Sequence, residues 1–197
     1  ELRDSKDAQS GKALYLNGNA PNYLSVTDEA GKSLLAGKEE ITISYDEKPD
    51  QTGTSWVFYA APNENAQVNA KEHYIGAFHN NGNIKVERYN NTNGRPASIE
   101  ESAGTDWAHI DVVFKSTETI LYVNGIRKST VASDYALPDI LGDSGIFYIG
   151  RANWVNGEGY KGWIDNFKVY DGALTDEDLV DQEAAAAAVE ADADALS

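Results

Sequence analysis

The sequence predicts an all-β chain, a two-sheet antiparallel sandwich, on three observations. Short segments in which apolar and polar residues alternate with period two run from near residue 13 to residue 170. Asn81-Gly82, Asn124-Gly125 and Asp171-Gly172 punctuate them, and such dipeptides supply the positive φ angles of tight turns. A length of 197 residues with 41% hydrophobic content is enough to bury a core, and a β-sandwich of this size forms a single domain.

Taken in order, Ala13-Leu14-Tyr15-Leu16-Asn17-Gly18 reads as an early strand and Ile41-Thr42-Ile43-Ser44 as a second. His79 through Tyr89 is the clearest hairpin, turning at Asn81-Gly82. Trp107 to Phe114 pairs with Ile120-Leu121-Tyr122-Val123 through the loop 115–119, and Asn124-Gly125 turns the chain into Ile126-Arg127-Lys128. Alternation puts Ala108, Ile110, Val112 and Phe114 on one face of this ribbon and Trp107, His109, Asp111 and Val113 on the other. The run Gly159 to Tyr170 reads as the closing strand. After Asp171-Gly172, Thr175 is placed to cap a short helix over Asp176 to Gln182, with Asp178 at the capping-box position and Leu174 and Leu179 as anchors. The expected organisation is a sandwich over residues 1–180 and an Ala-rich, acidic linker over 181–197 leading to a following domain. A chain that starts at Glu1 is expected to be a piece of a longer protein.

The formal net charge of -16, from 16 basic and 32 acidic residues, opposes a polyanionic partner, so nucleic acid is not expected. No apolar run reaches the roughly 20 residues that span a bilayer, so membrane insertion is not expected. With no cysteine, thiol nucleophiles are excluded. No Gly-x-Ser-x-Gly elbow, Gly-rich phosphate loop or His-Glu-x-x-His helix is present, and His73, His79 and His109 lack metal-ligand spacing.

The closing segment Gly159 to Leu179, together with Ala13 to Gly18, Ile41 to Ser44, Trp107 to Phe114 and Leu121 to Gly125, resembles a laminin G-like, concanavalin A-like jelly roll over about residues 11 to 180. That resemblance implies a carbohydrate-binding module of a bacterial glycoside hydrolase. Family 43 enzymes and enzymes that degrade fructan and arabinan carry such appendages. It implies a secreted or cell-surface setting, monomeric, with an oligo- or polysaccharide and neighbouring domains of the same chain as partners. Arabinose- or fructose-containing glycans are the first ligands to try. It also implies a structural Ca²⁺ where the last strand meets the first, with Asp165, Asn17 and Asn22 as candidate ligands. The alternative for Asp165 is a hydrogen bond to backbone amides of the first loop. Laminarinases of the broader fold carry a Glu-x-Asp-x-x-Glu strand motif that is missing here, so the domain itself is expected to be non-catalytic. The alternative function is a structural or adhesive module that packs against a catalytic neighbour.

Sugar rings stack on aromatic faces while their hydroxyls need fixed polar groups. The loop from Arg151 to Tyr160 offers that mixture, and Arg151, Trp154, Asn156 and Tyr160 are the first candidates. Trp154 is either a sugar platform or a lid folded over the sandwich edge. Alternation can place Tyr59, His79, Asn80, Asn81 and Tyr89 beside them on the face opposite the core. Trp163, Phe167, Phe58, Phe114 and Phe147 are expected in the core, and Trp56 is open between the two faces. Asp46 stands where similar domains often carry an aromatic, which makes it a candidate acceptor for sugar hydroxyls.

Overall fold

A computed structural model describes residues 2–4, 11–19, 21–63, 73–90, 98–143, 145–153 and 158–180. Two antiparallel sheets face each other. The first takes its strands in the order β1 (Leu2–Asp4), β2 (Lys12–Asn17), β13 (Lys161–Asp171), β4 (Ile41–Pro49), β9 (Ala108–Phe114), β10 (Glu118–Val123) and β11 (Ile126–Ala132). The second runs β3 (Leu24–Ser25), β12 (Ile146–Ile149), β5 (Ser55–Ala61), β6 (His73–Asn80), β7 (Asn83–Asn90) and β8 (Ser98–Ser102). Neighbours far apart in sequence, such as β13 between β2 and β4, give the crossed connections of a jelly roll. Among the described residues there are also two short helices, α1 (Leu137–Leu141) and α2 (Asp176–Leu179).

The main core lies between the sheets. Ile41, Ile43 and Tyr45 of β4 and Ile110, Val112 and Phe114 of β9 meet Ile75 and Ala77 of β6, Ile84 and Val86 of β7 and Phe147 and Ile149 of β12. These sets step by two along each strand, as period-two burial requires. The expected division of the β9 face holds. Val113, with Ile120 and Tyr122, lies on the outer face of the seven-stranded sheet, where Ala173, Leu179 and Val180 pack over it. Both Asn-Gly turns have the left-handed backbone the sequence demands, with φ of 53° and 82° at Asn81 and Gly82 and of 52° and 71° at Asn124 and Gly125. At the C-terminal turn, the Asp178 carboxylate accepts from both the amide and the hydroxyl of Thr175, at 2.8 and 2.7 Å. The helix there spans four residues, and the linker over 181–197 lies outside the described residues.

A bulge in β5 decides the place of Trp56. The register shifts between Trp56 and Phe58, so Val57 and Phe58 both enter the main core while Trp56 turns outward with Tyr59. The outer face of the six-stranded sheet thereby gains a second apolar layer of Trp56, Tyr59, Tyr74, Phe78, Tyr89 and Tyr148. Ring pairs run across it, Trp56 to Phe78 at 4.5 Å, Tyr59 to Tyr74 at 5.2 Å and Tyr74 to Tyr89 at 5.1 Å between centroids. Pairs of this kind contribute about 0.5–1.5 kcal/mol each beyond area burial.

The Trp56 indole lies against Gly76, where a Cβ would come within 2.6 Å of its Cζ3 and 2.9 Å of the Phe58 carbonyl oxygen. Gly76→Ala is therefore expected to cost about 1–3 kcal/mol by overpacking. Urea unfolding followed by tryptophan fluorescence checks this: the midpoint should fall with the slope unchanged.

Candidate functional site

The structure separates the candidate residues. Trp154 and Asn156 lie outside the described residues. Tyr160 is fully buried, because it directly precedes β13 in the phase that also sends Gly162 and Ile164 inward. Its hydroxyl donates to Glu47 Oε2 at 3.0 Å and to the Trp163 carbonyl at 3.3 Å. Burial, then the Glu47 charge, holds that phenol well above its ordinary range. His79 is corrected in the same way. It follows Ile75 and Ala77 on the inward phase of β6, is 1% exposed, and places Nδ1 3.4 Å from Glu47 Oε1. Tyr160 and His79 thus belong to a polar group inside the sandwich and offer no surface to a sugar.

Tyr59 and Tyr89 do lie on the face opposite the main core, as expected, but at 0% and 7% exposure they are packed members of the aromatic layer. Trp163 departs from its expected place in the core. It sits half-buried on the outer face of the seven-stranded sheet, edge-on to Tyr15 at 4.9 Å between centroids. Phe58, Phe114 and Phe147 are in the core, with Phe167 packed against it and stacked on Tyr45 at 5.6 Å.

The candidate cation ligands do not converge. β2 and β13 are neighbours, as the resemblance implied, but Asn17 lies opposite Lys161, four residues from Asp165 and hence about 13 Å away along the strand. Asn17 Oδ1 instead accepts from Asn22 Nδ2 at 2.8 Å and from the Asn19 amide at 3.1 Å. Asp165 Oδ1 accepts the Asn166 amide at 2.9 Å, and its buried Oδ2 has no partner among the described residues. Among the described residues neither the shared cage nor the hydrogen bond to the first loop is formed, and these three residues do not fit a single Ca²⁺.

Asp46 has a different employment from the expected one. On the outer face of the seven-stranded sheet its Oδ1 meets His109 Nδ1 at 2.6 Å and its Oδ2 accepts from Asn166 Nδ2 at 2.6 Å, so both oxygens are engaged. His109 Nε2 lies 3.2 Å from Asp111 Oδ2. Asp111, then Asp46, raises the His109 imidazole to about 10. Burial works against Asp46, but bonds from His109 and Asn166 and the charges of His109 and Lys168 hold it below the usual carboxylate range. An imidazolium locked between two carboxylates cannot serve as a general base near neutral pH.

The sign of the linkage follows. Stabilisation by His109 is complete below its unfolded value near 6.5 and is lost as pH rises through about 10. That from Asp46 is present above its ordinary value of 3.8 and lost as pH falls. The melting-temperature advantage of the wild type over His109→Gln should therefore be largest between about pH 4 and 6.5 and shrink toward pH 10. An advantage that grows with pH would contradict the arrangement.

The open side chains gather elsewhere, at the sandwich edge where β1 and β2 end one sheet and β3 ends the other. A cleft of about 360 Å³ opens there between Arg3, the run Leu14–Asn17 and the run 21–24. That is the small end of the roughly 300–1,000 Å³ range of ligand sites. Alternation along β2 turns Leu16 into the core, while the short β3 strand brings Tyr23 to the opposite wall. Half-buried Tyr15 and Tyr23 face the cleft. The Arg3 guanidinium lies 4.2 Å from the Tyr15 ring centroid, and the Tyr15 hydroxyl donates to Asp50 at 2.9 Å. Arg151 lies 4.6 Å from the centroid of Tyr23 and 5.5 Å from that of Tyr148, with Nε donating to the Ala152 carbonyl at 2.8 Å. Asn17 Nδ2 and Asn22 Oδ1 are without a partner among the described residues, one donor and one acceptor on the same wall. Of the sugar candidates among the described residues, Arg151 alone is beside this edge, against Tyr23, while Asn17 and Asn22 line the cleft. Sequence reading missed Tyr15, Tyr23 and Tyr148, because nothing local distinguishes a strand tyrosine at an open sheet edge from one in the core.

Comparison with known proteins is consistent with this architecture. The family model Laminin_G_3, described as the Concanavalin A-like lectin/glucanases superfamily, matches residues 10–180. No curated protein is significantly similar in sequence. Among solved structures, the CBM40 domain of the Ruminococcus gnavus IT-sialidase bound to α2,3-sialyllactose superposes with a TM-score of 0.69 at 16% identity, covering 85% of this chain and 94% of that one. Domain 4 of AbnA, an extracellular GH43 arabinanase from Geobacillus stearothermophilus, in complex with arabinotriose, superposes with a TM-score of 0.63 at 23% identity, covering 91% and 80%. The leech intramolecular trans-sialidase gives a TM-score of 0.67 at 19% identity, covering 85% of this chain and 26% of the enzyme.

Proposed function

The chain belongs to the Concanavalin A-like lectin/glucanases superfamily, and from that premise we propose that it is a non-catalytic carbohydrate-binding module of a larger bacterial glycoside hydrolase, secreted or cell-surface. The observation that carries this reading is the edge cleft, which joins tyrosine rings to guanidinium and amide groups on two sheet edges. Apolar ring faces with a few fixed donors and acceptors are what a saccharide needs. Glycosidases flank the scissile bond with two carboxylates, and the residues lining this cleft include neither Asp nor Glu. Two domains of similar fold occur in complex with sialyllactose and arabinotriose, which supports a glycan as the ligand class. Plant or host polysaccharides containing arabinose or fructose are the first candidates. The module would hold its enzyme near the polymer and raise the local substrate concentration.

Calorimetric titration with arabinan, arabinoxylan, arabinogalactan, levan and inulin fragments tests the reading. Saturable binding of one class is expected, with a dissociation constant of about 10 μM to 1 mM, because an open site on a flexible glycan leaves a large ordering cost. Silence across the panel would favour the second reading, a module that packs against its catalytic neighbour. That reading rests on Leu2 and Leu24, 70% and 45% exposed on β1 and β3, the two strands that end their sheets at this same edge.

A further inference from the structure

We propose that Tyr160, anchored to buried Glu47, is a positioning residue of the edge cleft that fixes the first loop at Gly18 and Asn22 before a sugar arrives; this rests on the sugar-binding reading and deepens it. The first observation is where the polar groups of Tyr160 go. The residue is 0% exposed and is not among those lining the cleft. Its carbonyl accepts the Gly18 amide at 2.9 Å, where β2 passes into the first loop. Its amide donates to the Gly150 carbonyl at 2.9 Å, just past the end of β12. Its hydroxyl donates to Glu47 Oε2 at 3.0 Å, on β4. One buried residue therefore joins the β2 wall of the cleft, the strand that pairs with the β3 wall, and a side chain held inside the sandwich.

The second observation is close packing on both sides of that residue. A Cβ at Gly150 would collide with Leu16 Cδ1 and stand 3.6 Å from the Asn22 carbonyl oxygen. A Cβ at Gly159 would come within 2.7 Å of the Gly18 carbonyl oxygen. Leu16, Asn17 and Asn22, which line the cleft, therefore take their place from the backbone that Tyr160 holds. Glu47 supplies what this support requires and what stability alone does not. Burying a carboxylate is costly, and a well-packed apolar side chain of similar volume is often as stabilising. Glu47 is nonetheless 0% exposed, with the Tyr160 hydroxyl and, at 3.4 Å, His79 Nδ1 beside it. Pinning the phenol at one point sets the cleft wall in advance, so less ordering is left to the binding step.

The test is amide hydrogen exchange on the whole, sugar-free chain, followed by calorimetry with the tightest-binding fragment of the panel above. Tyr160→Phe removes only the hydroxyl. Exchange at Gly18 and Asn22 should accelerate about tenfold more than exchange in the β9–β10 ribbon, and affinity should fall about threefold to tenfold. Glu47→Gln keeps an oxygen to accept from the hydroxyl, so it should hold Gly18 and Asn22 near their wild-type rates. A hydroxyl that serves stability alone would accelerate exchange evenly across both sheets and leave the affinity of the folded protein unchanged, and either result overturns the positioning role. If Tyr160→Phe does not fold, Gly159→Ala carries the test, because its methyl group presses on the Gly18 carbonyl and leaves the Tyr160–Glu47 pair in place. The same local acceleration and affinity loss are expected there, and an unmoved first loop overturns the proposal. Exchange is read without sugar, so silence of the wild type toward every fragment overturns the module reading while the exchange rates still decide the positioning.

Discussion

Arg88→Ala is expected to destabilise the domain by about 3–5 kcal/mol, the range for breaking a buried charged group held by several hydrogen bonds. Arg88 is 1% exposed and projects inward from β7. Its Nη1 donates to the carbonyls of Lys115 and Glu118 at 2.7 and 3.4 Å, and its Nη2 donates to that of Ser116 at 3.2 Å and to that of Tyr135. One side chain from the six-stranded sheet thus ties down the loop between β9 and β10 of the other sheet and the chain entering α1. Truncation leaves a cavity and several carbonyl groups that have lost their donor, each costing about 1–3 kcal/mol when buried. Burial lowers the Arg88 guanidinium to about 10, which keeps it charged at neutral pH. For a chain of this length, melting should fall by roughly 6–20 °C, at about 2–4 °C per kcal/mol. Arg88→Lys, with the charge but not the fork of donors, should fall between wild type and Ala. A melting temperature within 2 °C of wild type for Arg88→Ala would mean that the carbonyl cage contributes nothing.

The largest expected effect on binding comes from the cleft wall. Tyr23→Ala removes the ring against which Arg151 is stacked, so it deletes a contact surface and releases the guanidinium at once. Loss of a central aromatic anchor of this kind costs about tenfold or more in affinity. Tyr23 is half-buried and outside the main core, so the melting temperature should change far less than with Arg88→Ala. Tyr170→Ala is the matched control, an exposed tyrosine on β13 away from the cleft, and should bind as wild type does. Titration of all three proteins with the best glycan of the panel decides the matter. If Tyr170→Ala loses as much affinity as Tyr23→Ala, the site is elsewhere.

The two-sheet sandwich was legible in the sequence because turn chemistry and period-two burial are local. Asn81-Gly82 and Asn124-Gly125 form the expected turns, and the two faces of β9 divide as alternation requires. The site was far less legible, for two physical reasons. A single bulge in β5 resets the phase of the strand, so alternation alone cannot say that Trp56 leaves the core while Phe58 stays in it. The second reason is that exposure depends on the layer packed around a residue as well as on its phase. Tyr59 and Tyr89 point away from the main core as predicted and are buried within the aromatic layer, whereas Tyr15 and Tyr23 stay partly open because the sheets end beside them. His79 and Tyr160 show the converse. Polar groups read as surface chemistry meet at Glu47 inside the sandwich, a long-range meeting of β4, β6 and the entry to β13 that no local window contains.

The central claim is that the edge cleft binds sugar, and amide chemical-shift mapping during a glycan titration tests it most directly. The account predicts saturable shifts centred on Asn17, Asn22, Tyr23 and Arg151, with the β9–β10 ribbon unmoved. Shifts centred on Glu87 and Tyr89 of the aromatic layer, or on Asp46 and His109 of the opposite sheet, with the cleft silent, would contradict it.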